Sequence, residues 1–193
     1  MSITSHSHYI LYKPYGYVSQ FVSSQTKSHR KKYLGELFSF HPNSMSVGRL
    51  DENSEGLLFL TTDGKLSNHI NTQGVEKEYY ALLDGIISSE AIAQLQNGVT
   101  ISIQGKSYTT KSCAVRSIST PTLPETKQRI RDDRHGPSSW VSITLTEGKF
   151  RQVRKMTASV GFPTLRLVRY RIGSRTIEGM DCGDCFETAS LLH

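Results

Sequence analysis

The most apolar run in the chain is Leu57-Leu58-Phe59-Leu60, four residues long and soon followed by the turn-forming pair Asp63-Gly64. A run this short cannot cross a membrane as a helix, which takes about 20 apolar residues. Its length and abrupt stop fit a buried strand over 57–62 instead. The neighbouring pattern also reads as a sheet built from short pieces. Residues 9–13 (YILYK) predict a strand stopped at Pro14-Tyr15-Gly16, and 77–83 (KEYYALL) another ended by Asp84-Gly85. Residues 99–103 (VTISI) alternate cleanly, and Gln104-Gly105 predicts a hairpin into a second strand over 107–118. After Trp140, Val141, Ile143 and Leu145 alternate with polar residues. Residues 164–172 (TLRLVRYRI) alternate except at Leu167-Val168, where a bulge or burial on both faces is expected.

Helices fall between these strands. A short one is expected near 65–70. Residues 88–98 (SSEAIAQLQNG) carry a capping Ser, Ile92 and Leu95 three apart, and a closing Asn97-Gly98. A third helix is expected over 151–160, closed by Gly161. Interleaved strands and helices with several hairpin signals point to a mixed α/β topology with substantial antiparallel pairing. At 193 residues the chain suits one domain, or two closely fused lobes. Residues 23–33 (SSQTKSHRKKY) read as an exposed basic loop, and 119–139, rich in Pro and charge, as a mobile surface loop.

The charge narrows the partner. Lys and Arg exceed Asp and Glu by 23 to 17, a net +6. Between Glu147 and Arg175 stand Lys149, Arg151, Arg154, Lys155, Arg166, Arg169, Arg171 and Arg175, with Glu147 the single acid; eight minus one is +7. Positive charge this concentrated suits a surface that grips phosphates. Within it, EGKFRQVRKMTASVG (147–161) places Val153, Met156 and Val160 on one helical face and Arg151, Arg154 and Lys155 on another. Read from the residues alone, this is equally a solvated basic face. Gly48-Arg49-Leu50-Asp51, ahead of the buried strand, can turn a carboxylate into a cleft, or be a solvated turn with a surface ion pair. Tyr79 on a strand fits core packing.

Other chemistries lack their residues. GxGxxG and Walker patterns are absent. Three cysteines are too few for a disulfide framework, and Cys182-Gly183-Asp184-Cys185 has neither a second pair nor a nearby His to complete a metal site. No metal is expected. The first eight residues, MSITSHSH, lack the basic start and apolar stretch of a secretory signal, so an intracellular, cytoplasmic location is expected.

Taken in order, Lys13-Pro14-Tyr15-Gly16, GRLDENSEGLLFLTTDG (48–64), EKEYYALLDG (76–85), NGVTI (97–101), SSWVSITLTEGK (138–149) and EGKFRQVRKMTASVGFPTLRLVR (147–169) resemble the RsuA-type branch of the pseudouridine synthases. The likeness runs collinearly over roughly residues 9–188. It implies an α+β fold: a long, mixed but mostly antiparallel sheet with flanking helices, and a basic cleft between lobes of roughly 9–72 and 73–188 in one catalytic domain spanning 1–193. No S4-type domain is expected ahead of it, because only eight residues precede the first motif strand. The resemblance implies an isomerase that converts uridine to pseudouridine in large-subunit ribosomal RNA without a cofactor, acting as a monomer with no membrane partner. It makes Asp51 the catalytic carboxylate, Arg154 its paired cation, and Tyr79 the aromatic residue against the target base. It makes Arg49 the residue that fills or supports the gap left by the flipped nucleotide. Lys149, Arg151, Lys155, Arg166, Arg169 and Arg171 become RNA contacts, with help from Lys27, Arg30, Lys31, Lys32 and the 127–135 loop. Two departures stand out: Lys149 and Phe150 where the family often has Arg and Asn, and Lys155 in place of a frequent Arg. A rival of another class is a non-catalytic RNA-binding or ribosome-assembly protein on the same fold. A further rival is a redox or metal protein built on the C-x-x-C.

Overall fold

In the computed structural model, which describes residues 6–22 and 31–192, the chain runs through thirteen strands and three α-helices. In order they are β1 (His8–Lys13), β2 (Tyr17–Val18), β3 (Lys32–Tyr33), β4 (Met45–Ser46), β5 (Glu55–Thr61), α1 (Gly64–Thr72), β6 (Lys77–Asp84), α2 (Ser89–Asn97), β7 (Thr100–Ile103), β8 (Lys106–Thr109), β9 (Ala114–Ile118), β10 (Ser138–Leu145), α3 (Gln152–Ser159), β11 (Thr164–Ile172), β12 (Arg175–Thr176) and β13 (Cys185–Thr188). Short 3-10 turns lie at Leu34–Glu36 and Asp133–His135.

A nine-stranded sheet organises the chain in the order β13-β1-β5-β11-β6-β10-β9, with β4 added to β5 and β12 to β11. Every residue of β5 is buried, which is why an apolar run without alternation takes a central place with neighbours on both edges. All pairings in this sheet are antiparallel except β5 with β11. That parallel pair needs Gly56: its φ is +102°, and any Cβ there would run into the backbone of Arg169. The close approach sets Glu55 and Gly56, at the start of β5, beside Val168 and Arg169 in the middle of β11.

Each face of the sheet has its own core. On one face Ala81, Leu83, Val141, Ile143 and Leu167 pack against Leu95 of α2 and Val153 and Met156 of α3. Further along the same face, Leu11, Leu58 and Leu60 pack against Leu34 and Leu50. On the opposite face Tyr12, Leu57, Phe59, Val168 and Ile172 pack against Ile70 of α1 and Ile177 and Leu191. The period-two side-chain alternation of β1, β5 and β11 divides them between these cores. Truncating any of the buried leucines to Ala costs about 2–5 kcal/mol. Local signals set the helix starts. Asp63 accepts from Lys65 N at 2.8 Å and Leu66 N at 3.1 Å, and Ser88 Oγ from Ala91 N at 3.2 Å.

The structure corrects two sequence expectations, at 107–118 and 119–139, and decides between two alternatives at Leu167-Val168. The strand expected over 107–118 is broken: β8 closes a hairpin on β7, while β9 joins the main sheet through β10. At the break, Thr110 N and Cys113 N bond to Val99 O and Gln96 O. The irregularities of β11 fall between Thr164 and Arg166 and between Arg169 and Arg171, not at Leu167-Val168, which are simply both buried. The segment 119–137 is strapped down rather than loose. Thr126 Oγ1 donates to Glu55 Oε1 at 2.5 Å and Gln128 Nε2 to Leu165 O at 2.6 Å, while Arg131 pairs with Asp84. Of the basic 23–33 segment, residues 23–30, with Lys27 and Arg30, lie outside the described residues; Lys32–Tyr33 pairs with β2.

Candidate active site

The loop 47–54 is fixed before it reaches Asp51. Gly48 takes φ +69°, the bend its place in the motif calls for. The Ser19 hydroxyl then clamps both backbone groups of Leu50, accepting from its N at 2.9 Å and donating to its O at 2.8 Å. Leu50 is buried in the core below. Ser54 N bonds to Asp51 O at 3.0 Å, and Gly16 N to Glu52 O at 2.8 Å, so the turn carrying the carboxylate is held on both sides.

From the other side comes the start of α3. Arg151, its N-cap, sits in the left-handed region at φ 52°, ψ 35°, an uncommon conformation for a non-glycine residue. A buried brace holds it. Gln152 Nε2 donates to Glu147 Oε1 at 2.6 Å, and Gln152 Oε1 accepts from Lys149 N at 2.9 Å. Glu147 also accepts from Lys111 N at 2.9 Å and from the Tyr108 hydroxyl. Burial pushes the Glu147 carboxyl up, but these hydrogen bonds outweigh it and hold the group below the ordinary glutamate range. The result at the site is that Arg151 Nη1 stands 3.5 Å from Asp51 Oδ2.

Arg154 takes a different place from the one expected. It makes no ion pair with Asp51; Nη2 donates to Asn53 O at 2.6 Å and Nη1 to Thr164 O at 3.1 Å. Its guanidinium thus pins the Asp51 loop to the start of β11. Burial lowers its pKa, with Arg151 adding and the Asp51 charge opposing. The cation paired with Asp51 is therefore Arg151, one turn earlier on the helix.

Asp51 and Tyr79 line one pocket, together with Arg49, Lys149 and Arg151. Leu145, Val153 and Leu167 supply its apolar wall. Tyr79 packs against both cores of that sheet face, so the pocket opens where they meet. A carboxylate, a guanidinium and a half-buried aromatic ring thus face one small space, with further cations at its rim. Lys155 sits outside the pocket, where Nζ donates to Ser102 O at 2.6 Å. A larger cavity lies on the opposite sheet face, lined by Tyr80 and Tyr170, away from Asp51.

Three arginines expected to grip RNA are turned inward. Arg166 pairs with fully buried Glu55 through Nε at 3.2 Å and Nη2 at 3.1 Å, and also holds Pro124 O at 2.8 Å. Arg169 is 2% exposed and donates to Leu57 O at 2.7 Å. Arg171 bonds Glu78 at 2.9 Å and Glu76 at 3.0 Å. Net charge along the sequence could not separate these from the rim, because burying a cation against a carboxylate depends on Glu55, Glu76 and Glu78, which are distant in sequence. Lys13 was read only as part of a motif; it is fully buried, its Nζ donating to Tyr17 O at 2.6 Å and Pro14 O at 3.0 Å. Burial pushes that amine down to about 7. Nothing in the sequence pattern marks the roles of Ser19, Glu147 and Gln152, although the last two stand inside the EGKFRQVR motif.

Among the described residues no group of three His, Cys, Asp or Glu comes together as a metal site, and no helix is long and apolar enough to cross a membrane. Cys182 and Cys185 are free thiols, and burial pushes Cys185 up to about 12, a direction that disfavours its thiolate.

Comparison with known proteins supplies the class to which this mixed sheet, with its Asp51 loop and basic helix start, belongs: the pseudouridine synthases. The family model described as RNA pseudouridylate synthase matches residues 7–159, and the chain belongs to that family. Among curated relatives, a ribosomal large subunit pseudouridine synthase E from Xanthomonas campestris pv. campestris is 37% identical, covering 90% of this chain and 91% of its own. The synthase E of Vibrio parahaemolyticus is 35% identical over 90% of this chain and 70% of its own. A solved structure titled as a pseudouridylate synthase superposes with a TM-score of 0.73 at 25% identity, covering 97% of this chain and 72% of that one. The α+β fold and the isomerase class implied by the sequence motifs are thereby established.

Proposed function

We propose that this chain, as a single catalytic domain, converts a uridine of large-subunit ribosomal RNA to pseudouridine, with Asp51 as the catalytic carboxylate and no cofactor. The observation that carries the reading is the shared pocket: the Asp51 carboxylate, paired to Arg151, faces the same space as the Tyr79 ring. Its relatives named for the large ribosomal subunit support the substrate.

The uridine leaves its stack and enters the pocket, at a cost of a few kcal/mol that rim cations on neighbouring phosphates offset. Arg49, Lys149 and Lys155 are those cations, and Arg49 supports the gap left in the RNA. Tyr79 packs on the base. The bond from ribose C1′ to N1 breaks, the uracil turns, and C1′ rejoins through C5; the C5 proton leaves and N1 gains one, so the change is an isomerisation. Cleavage develops positive charge on the sugar, which ionised Asp51 stabilises, either by bonding to it or by taking a sugar proton. Arg151 sets a positive charge beside Asp51, and Arg154 ties its loop to the start of β11.

Mapping pseudouridine across ribosomal RNA from cells lacking this protein tests the reading. One large-subunit position should revert to uridine and regain modification when the gene is restored. An unchanged map would overturn it.

A further inference from the structure

Phe150 is the residue in the site region that the proposed chemistry leaves unused. It is 62% exposed, a large apolar surface at the tip of a turn closed by the bond from Gln152 N to Lys149 O at 3.1 Å. Its two chain neighbours, Lys149 and Arg151, both line the Asp51 pocket, while Phe150 itself does not. Phe150 therefore sits on the turn between two pocket-lining residues, outside the lining itself. The Lys155 ammonium lies over it, 5.2 Å from the ring centroid, and is tethered there by Ser102 O. Lys149 is similarly drawn over Tyr108, at 5.0 Å. The nearby acid, Glu147, also lines the Asp51 pocket, with its carboxylate occupied by bonds from Tyr108, Lys111 N and Gln152.

An exposed ring among cations, with the local carboxylate already hydrogen-bonded, matches a nucleotide: a flat base for the ring and phosphates for the ammonium groups. Other exposed apolar side chains, such as Ile86 and Phe186, have no chain neighbour in the lining of that pocket. Resting on the proposed function, we propose that Phe150 is a stacking platform for an unpaired RNA base adjacent to the uridine that enters the Asp51 pocket, with Lys149 and Lys155 contacting the flanking phosphates. Lys155 retains N–H donors beyond its bond to Ser102 O, since an ammonium carries three. The site recognises a single-stranded or splayed segment, since a base within a duplex has no free face to offer.

The test uses the whole protein and two probes: a short labelled single-stranded RNA of mixed sequence, followed by anisotropy, and inorganic polyphosphate as a base-free competitor. Because the ring is exposed, Phe150→Ala empties no core. It should weaken RNA binding about 5- to 100-fold, the range expected for losing one base–aromatic stack. Its competition by polyphosphate should match wild type, and Phe150→Tyr should restore RNA binding. Lys155→Ala should weaken both probes. Wild-type RNA affinity in Phe150→Ala, equal weakening towards both probes, or failure of Phe150→Tyr to restore binding would each overturn the proposal. Pseudouridine formation by wild type on ribosomal RNA, run alongside, separates the two readings. If wild type forms none, the proposed function fails; if it does and Phe150→Ala binds normally, only the platform fails.

Discussion

Arg151 and Asp51 lie a hundred residues apart in the chain, yet Arg151 Nη1 stands 3.5 Å from Asp51 Oδ2. Three residues on, Arg154 makes no such pair and instead bridges Asn53 O and Thr164 O. The two arginines therefore divide the work: Arg151 supplies charge and Arg154 supplies placement.

That division predicts different failures. Arg151→Ala should slow pseudouridine formation at least about 10-fold while leaving Tm nearly unchanged, as expected for loss of a part-exposed electrostatic partner. Arg154→Lys keeps the charge but cannot span two carbonyls with one ammonium. It should lower both activity and Tm. Steady-state kinetics with thermal melts check this; a Tm loss in Arg151→Ala larger than in Arg154→Lys would contradict it.

Arg166 was expected at the RNA surface and sits instead on buried Glu55. Arg166→Ala strands that carboxylate and frees Pro124 O, so it should destabilise by about 3–5 kcal/mol. Urea denaturation measures the loss. RNA affinity of the folded variant, measured well below its midpoint, should stay close to wild type.

Lys13 gives a pH signature. Its folded pKa is depressed to about 7 by burial, with the Arg169 charge adding and those of Glu55, Asp51 and Glu52 opposing. Above that value the unfolded chain binds a proton that the folded chain does not. The Lys13 contribution to stability therefore rises with pH from about 7 towards the ordinary lysine range, by up to about 1.4 kcal/mol per pH unit. Below about 7 both states are protonated and the dependence vanishes. Comparing wild type with Lys13→Met between about pH 6 and pH 9 cancels other titrating groups. A difference that stays flat across this window would contradict the buried placement.

Glu147 shifts stability in the same direction with pH, but at the acid end. Its carboxyl is held below the ordinary range by Tyr108, Lys111 N and Gln152, against the effect of burial. The stabilisation is fully present above the usual glutamate pKa and is lost as pH falls through the lower folded value. The Tm advantage of wild type over Glu147→Gln should therefore shrink on acidification from about pH 6 to about pH 3.

Much of this was legible in the sequence because it is local. The apolar run became the buried centre of the sheet, Ser88 and Asp63 capped their helices, and the Val153/Met156 face anchored α3 to the core. The family resemblance carried by the motifs implies that Asp51 and Tyr79 meet at one base, and the two line one pocket. What was not legible depends on partners far away in the chain. Whether Arg166 faces RNA or Glu55 turns on a parallel pairing that Gly56 permits. Whether Arg151 or Arg154 meets Asp51 turns on a left-handed residue at a helix start, which helical periodicity does not encode. The strap over 119–137 is pinned by Thr126 and Gln128, two polar residues that carry no pattern of their own.

The most direct test of the account is the purified Asp51→Asn protein on ribosomal RNA, with pseudouridine and RNA affinity measured on the same preparation. The side chain keeps its size and loses its charge. Affinity within a few-fold of wild type with no detectable pseudouridine is the predicted result, and it also separates an enzyme from a protein that merely binds RNA. Pseudouridine formed at the wild-type rate would contradict the assignment of Asp51 and the mechanism built on it.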